Sequence, residues 1–374
     1  MSKKHKLKLF ILAGEDSGDL HGSHIVHQIK KSYGNLSLVG LGGKYLERAG
    51  LRSFVPLKHL AIMGFWEVLK HLPFFLRLEK QILEYIIVNK PDKIILIDYP
   101  GFNLRLAHKI KQNIDIPIYY YISPQLWAWK EKRLNIIKKH VDHMIVIFPF
   151  EKDWYHKRGV DVQYFGHPFL DLIKTSQFKK VNNKGKLKIA LCPGSRMQEI
   201  NKHMPTFEHL IQYYANHNSK IRFVIYRAPG ISANVFHNYQ DYKNVTIAST
   251  SILESFNNIN LAVVASGTAT LECAITLTPF IVVYKMSFWS WHITKGLVNS
   301  EFASIVNILA KKLLVPELLQ KNFNAQNLIK NIEYLLDKQI QQNMINTFQN
   351  ISSQLEGRGA YKQAAQFILN EKNN

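Results

Sequence analysis

The chain has only two cysteines in 374 residues, Cys192 and Cys273, and both lie inside apolar stretches. A disulfide framework is therefore excluded as the source of stability, and a reducing compartment fits. Long apolar runs are missing as well. No stretch reaches the ~18 uninterrupted apolar residues that a spanning helix needs. The run Leu9-Phe10-Ile11-Leu12-Ala13 behind Lys3, Lys4, Lys6 and Lys8 is too short for a signal-peptide core, and Gly14-Glu15-Asp16 follows at once, so it reads as a first buried strand. Acidic residues are scarce: 27 Asp plus Glu stand against 48 Lys plus Arg, a net charge of +21. That excess calls for an anionic partner, whether nucleic acid, an acidic membrane surface or a phosphorylated ligand, while part of it is solvated surface in the Lys/Asn/Gln-rich stretches 178–188 and 319–345. A dinucleotide fingerprint is absent. Gly40-Leu41-Gly42-Gly43-Lys44-Tyr45 puts Tyr45 where the last glycine is required, which argues against nicotinamide chemistry. His21, His24 and His27 share a helical arc, but nothing specifies a third ligand or its carboxylate support, so no metal is expected.

What is present is alternation. Apolar runs at 7–13, 36–41, 93–98, 118–122, 144–148 and 162–165, then at 187–192, 221–226, 244–248, 260–265 and 279–284, are separated by helical patterns. This predicts an α/β protein of two doubly wound, Rossmann-like domains with parallel sheets and a cleft between them. The first domain is expected over 1–173, the polar stretch 174–186 is a linker, and the second domain covers 187–345. A C-terminal helical region of about 346–374, with its amphipathic helix near 357–371, is expected to pack back on the first domain.

Several strand ends carry chemistry. Pro193-Gly194-Ser195-Arg196 closes an apolar run ahead of a helix, where Gly194 permits close backbone approach, free N–H groups point outward, and Arg196 offers a forked cation to phosphate. Ser266-Gly267-Thr268-Ala269-Thr270-Leu271-Glu272 offers small residues for a diphosphate and Glu272 for two ribose hydroxyls. Ala13-Gly14-Glu15-Asp16-Ser17-Gly18-Asp19, followed by His21, suits a sugar or phosphate, although Asp16 or Ser17 equally well caps the helix. Asp98 directly follows a fully apolar strand, where partial desolvation tunes a carboxylate for proton abstraction. In Ser123-Pro124-Gln125-Leu126-Trp127-Ala128-Trp129, the two tryptophans do not share a helix face, so one packs while the other lines the cleft.

Taken together with Met63-Gly-Phe-Trp-Glu-Val68, Asp98-Tyr-Pro-Gly-Phe-Asn103, Phe148-Pro-Phe-Glu151 and Gly166-His-Pro168, these segments resemble the lipid-A-disaccharide synthases, inverting glycosyltransferases of the GT-B fold. The resemblance implies transfer of 2,3-diacylglucosamine from UDP-2,3-diacylglucosamine to the 6-hydroxyl of 2,3-diacylglucosamine 1-phosphate. UDP leaves and the β-1′,6 disaccharide forms, with no cofactor and no metal. It makes the first domain the acceptor side and the second the UDP-sugar side. It assigns catalysis to Asp98, with Glu15 as second choice for the base, and to Arg196. Its substrate-binding set is Gly14, Ser17, Gly18, His21, Asn103, Gln125, Trp127, Gly194, Ser195, Ser266, Gly267, Thr268, Glu272 and Asn307. Gly101 departs from the many members with a second acidic residue there. The expected location is the cytoplasmic face of a Gram-negative inner membrane, with anionic lipids as partners, no nucleic acid, and room for a homodimer. Two rivals remain: a non-hydrolysing UDP-sugar 2-epimerase of the same fold, and a basic nucleic-acid-binding protein, for which no binding motif is visible. Residues 60–78 carry more apolar side chains than one helix face can bury, and Pro73 is expected to break that run. An apolar lip at the membrane is expected there, with Lys58, Lys70, Arg77 and Lys80 facing head groups.

Overall fold

The computed structural model of the protein describes residues 6–60, 65–173, 186–218, 220–287, 300–355, 357 and 359–370, with backbone alone for Lys58 and 65–70. The chain divides into two compact units, Met1–Asp171 with Gly357–Asn374, and Leu172–Glu356. In the first, strands β1 (Leu7–Ala13), β2 (Leu36–Leu41), β3 (Arg52–Ser53), β4 (Lys93–Ile97), β5 (Ile118–Tyr121), β6 (His143–Val146) and β7 (Gln163–Tyr164) form one parallel sheet in the order β3-β2-β1-β4-β5-β6-β7. Its helices are α1 (Asp16–Ser32), α2 (Lys44–Arg48), α3 (Phe65–Asn89), α4 (Pro100–Asn113), α5 (Leu134–His140), α6 (Pro149–His156) and α7 (Phe169–Leu172), the last running one residue past the boundary. In the second unit, β8 (Leu187–Cys192), β9 (Ile221–Tyr226), β10 (Val245–Ala248), β11 (Leu261–Ala265), β12 (Phe280–Tyr284) and β13 (Glu317–Leu319) run parallel in the order β10-β9-β8-β11-β12-β13. The helices α8 (Met197–His217), α9 (Ile252–Ser255) and α10 (Thr268–Ile275) alternate with them.

The eleven apolar runs of the sequence are β1, β2 and β4 to β12, each within two residues of its expected ends, while β3 and β13 are short additions. The central strands are apolar throughout because helices cover both faces of a parallel sheet. Ile94, Ile95, Leu96 and Ile97 all lie buried, each contributing roughly 1.5–3 kcal/mol of hydrophobic stabilisation.

Two expectations change. Pro73 does not stop its helix: α3 continues through it to Asn89. A proline φ is already helical, and because Pro73 is exposed, water can serve the carbonyl that loses its partner. The return to the first unit also begins later than residue 346. The helix Lys338–Gln354 stays with the second unit, capped by Asp337 on the amides of Gln339 and Ile340 at 2.8 and 3.0 Å. The returning helix is Ala360–Asn370. Asp171 receives the amides of Gly359 and Tyr361, Tyr361 meets His21, and the buried Lys93 ammonium holds the Ile368 carbonyl at 2.6 Å.

Candidate active site

In both sheets the strand order reverses at one place, between β1 and β4 and between β8 and β11. Helices after the two strands leave toward opposite faces there, opening a crevice at the carboxyl ends where ligands of such sheets bind. Four of the five strand-end segments singled out in the sequence fall on these points, after β1, β4, β8 and β11, while the fifth, from Ser123, follows β5.

In the first unit the turn after β4 is strained. Asp98 and Tyr99 stand at φ +45° and +48°, consecutive left-handed non-glycine residues, costing on the order of 1 kcal/mol each. Several bonds impose the shape. The Asp98 amide donates to the Tyr121 carbonyl at 3.0 Å, the Asn103 amide group donates to the carbonyls of Ile97 and Asp98 at 3.2 and 2.7 Å, and the Tyr120 hydroxyl donates to the same Asp98 carbonyl. Pro100 then starts α4. The result is an elbow that presents the half-buried Asp98 carboxylate at the sheet end. Gly14 faces this elbow, since a Cβ on it would land on the Tyr99 ring. Burial, then the nearby Glu15 charge, push the Tyr99 phenol up to about 12. Ser17 is half-buried in the first turn of α1, and Gly18 lets α1 pack on Ala13 and Ile97.

The structure spends other expected site residues internally. Asn103 is fully buried as the clamp of the elbow. Asp19 is 1% exposed and accepts from the amides of Gly43, Tyr45 and Leu46 at 2.8, 2.9 and 3.0 Å, fixing the start of α2. His21 is buried and hydrogen-bonded through Nδ1 to the Tyr361 hydroxyl at 2.7 Å, and burial drives its pKa down to about 3, so it is a neutral tie to the C-terminal helix. Among the described residues no group of His, Cys, Asp and Glu could hold a metal.

Glu151 was not expected. It is 1% exposed, takes the amides of Ile147 and Phe148 at 3.2 and 3.1 Å, and accepts from the Trp127 indole at 3.2 Å. Burial lifts its pKa to about 7, with a smaller push from Asp98. The available signal was Phe148-Pro149-Phe150-Glu151, a helix start with Pro at N1 and a carboxylate at N3. Trp127 is thereby the half-buried tryptophan; Gln125 and Trp129 are exposed.

In the second unit Gly194 has φ +121°, and a side chain there would collide with Glu199. The Glu199 carboxylate sits on the anion-binding groups, accepting from the Ser195 amide at 3.0 Å and from Arg196 Nη1 at 3.4 Å. His203 braces the turn, bridging the Pro193 carbonyl at 2.7 Å and the Lys285 amide at 3.0 Å. In the turn after β11, Gly267 and Thr268 are exposed, with open space where a Gly267 Cβ would stand. Ser266 Oγ donates to the Ala303 carbonyl at 2.9 Å. Glu272 is raised to about 7 by burial and perturbs Cys192 at the end of β8, so it lies near both turns. Asn307 is fully buried with its amide saturated: it donates to the Val315 carbonyl and Glu317 and accepts from the amides of Leu314 and Val315. Glu317 in turn takes the amides of Ala303 and Ser304, both at 2.9 Å, so Asn307 acts on the Ser266 loop at second hand.

Residues 9–370 match the family model described as lipid-A-disaccharide synthetase. The chain belongs to the lipid-A-disaccharide synthase family. It is 37% identical over 365 residues to lipid-A-disaccharide synthase 1 of Legionella pneumophila, covering 94% of each chain, and 32% identical over 377 residues to that synthase of Coxiella burnetii, covering 99% of each. Similar solved structures share the fold alone. A UDP-GlcNAc 2-epimerase from Neisseria meningitidis bound to UDP-GlcNAc has a TM-score of 0.64 at 12% identity, covering 98% of this chain and 100% of its own. The spinosyn rhamnosyltransferase SpnG has 0.63 at 10%, covering 97% and 100%. Within the synthase family, full-length similarity at this level separates the chain from its epimerase fold neighbours.

Proposed function

We propose that the chain transfers 2,3-diacylglucosamine from its UDP donor to the 6-hydroxyl of 2,3-diacylglucosamine 1-phosphate, with Asp98 as the base and Arg196 with the Gly194–Ser195 backbone as the leaving-group cradle. The observation that carries these roles is the strained elbow: the protein holds two residues in an unfavourable conformation to present one carboxylate at a switch point. Asp98 takes the O6 proton, O6 bonds to the anomeric carbon from the face opposite UDP, and the C1–O bond breaks with its electron pair passing to the β-phosphate. Configuration inverts. Arg196 and the Ser195 amide meet the charge that grows on that phosphate. Glu199 already occupies both donors, so the diphosphate competes with a carboxylate for them. Glu272 suits the ribose hydroxyls, and burial that favours its protonated form makes it a donor as well as an acceptor near pH 7.

Binding at a membrane surface belongs to the same reading. On the described part of α3, Leu72 and Leu76 are 37% and 46% exposed, with Arg77 and Lys80 exposed beside them, while Phe75 and Leu78, and Leu60 ahead of the helix, are buried. Residues 61–64 and the side chains of 65–70, including Phe65 and Trp66, lie outside the described residues. Among the described residues no helix is long and apolar enough to cross a membrane. The transfer is tested by incubating the protein with both acylated sugars and following UDP release and product mass. A tetra-acyl disaccharide phosphate with stoichiometric UDP supports it; an isomerised UDP-sugar without disaccharide would mean an epimerase.

A further inference from the structure

The loop that starts at Ser123 ends in an uncompensated pair of cations. Lys130 Nζ lies 4.5 Å and Arg133 Cζ 5.8 Å from the centroid of the Trp129 ring, which is itself 37% exposed. Neither cation has a carboxylate partner among the described residues. The adjacent acid, Glu131, is taken by Arg158 at 2.6 Å. Burial lowers the pKa of both Lys130 and Arg133, and their proximity lowers that of Lys130 further. Lys130 is held at φ +54° and its carbonyl accepts the Arg133 amide at 3.0 Å, so one tight turn fixes the spacing of the pair. Two like charges on one aromatic floor, Arg133 half-buried and Lys130 exposed, repel each other alone and are relieved once an anion joins them.

Their place identifies the anion. Arg133 acts electrostatically on the Tyr120 phenol, and Tyr120 is bonded to the Asp98 carbonyl. β5 pairs in parallel with β4, so the loop that carries the pair leaves the same carboxyl edge of the sheet as the elbow. We propose that Lys130 and Arg133, with Trp129 as their floor, form the subsite for the sugar phosphate of the acceptor, holding it by its anomeric phosphate while its distant hydroxyl reaches Asp98. This rests on the transferase reading above, and it adds what selects a phosphorylated over an unphosphorylated acceptor.

The test compares 2,3-diacylglucosamine 1-phosphate with the same sugar bearing a free anomeric hydroxyl, in the wild type and in Lys130→Met, Arg133→Met and the double variant. The wild type is expected to prefer the phosphorylated sugar in kcat/KM, each single variant to lose about tenfold or more of that preference, and the double variant to lose most of it. Arg133→Lys should recover part of the loss. Equal loss on both acceptors, or an unchanged preference, overturns the subsite. Calorimetry with unacylated glucosamine 1-phosphate and with glucosamine separates this proposal from the reading beneath it. Phosphate-dependent binding that disappears in the double variant supports the subsite even if no disaccharide forms. Disaccharide formation with an intact preference in the double variant refutes the subsite and leaves the transferase standing. Phosphatidylglycerol vesicles distinguish the source: if the double variant loses vesicle binding while keeping the acceptor preference, the cations serve lipid head groups and the proposal fails.

Discussion

Replacing Asp19 by alanine separates scaffold from chemistry in the acidic turn after β1. The carboxylate takes three amides in a buried place, Gly43 and Leu46 on Oδ1 and Tyr45 on Oδ2. A hydrogen bond to a charged group contributes about 1.5–3 kcal/mol, and buried donors left without a partner carry their desolvation cost. Gly43 and Leu46 are buried, while Tyr45 is half-buried and can find water, so the change should cost about 3 kcal/mol in the first unit. With a urea dependence of about 3 kcal/mol per M, the midpoint of that unit should fall by about 1 M. Asp19→Asn should cost less, because its carbonyl oxygen can keep the Gly43 and Leu46 amides while its NH2 group faces only the Tyr45 donor. Urea unfolding gives the ranking, and hydrogen exchange at residues 43–48 gives the location, with protection lost in the alanine variant. Turnover below the transition should stay near wild type. Equal stability in all three proteins, or lost turnover with stability intact, would refute the scaffold role.

Asp98→Asn should abolish sugar transfer while UDP-sugar binding, read by calorimetry, stays close to wild type; an equal fall in binding would move the base to Glu15. Arg196→Ala should lower turnover about a hundredfold with the fold retained by circular dichroism. Glu151 predicts a pH dependence. Its native pKa of about 7 lies above the free value of 4.5, so the native state keeps a proton that the unfolded chain has released, and this contribution is lost as pH rises from about 4.5 to 7. The total is roughly 3 kcal/mol. The buried His21, with its lowered pKa, slopes the opposite way, so the measurement is the difference between wild type and Glu151→Gln across that window: the variant should lack the decline, and parallel curves would dismiss the effect.

The sequence shows most of the fold because central strands of parallel sheets are continuous apolar runs and their turns need glycine or proline. β3 and β13 are too short to carry such a pattern. The switch-point turns were legible for the same reason: local backbone needs select local residue types. What stayed hidden is long-range partnership. His21 reads as part of a glycine-rich ligand turn, but its partner Tyr361 is 340 residues away. Asn103 and Asn307 carry amides as suited to a sugar as to a carbonyl, and only the folded loops show that both are used internally. Glu151 looks like a helix cap in sequence, and it is one; its elevated pKa comes from surroundings assembled by Trp127 and the end of β6.

The C-terminal helix makes the first unit dependent on the order of synthesis. Asp171 waits for the Gly359 amide 188 residues later, roughly 10–40 s of elongation at about 5–20 residues per second. Until then His21 lacks Tyr361, and Tyr119 and His143 lack the Phe367 ring that later packs on them. The nascent first unit is consequently an unfinished body with an open apolar side, while the second unit, contiguous in the chain, can complete its sheet before the first closes.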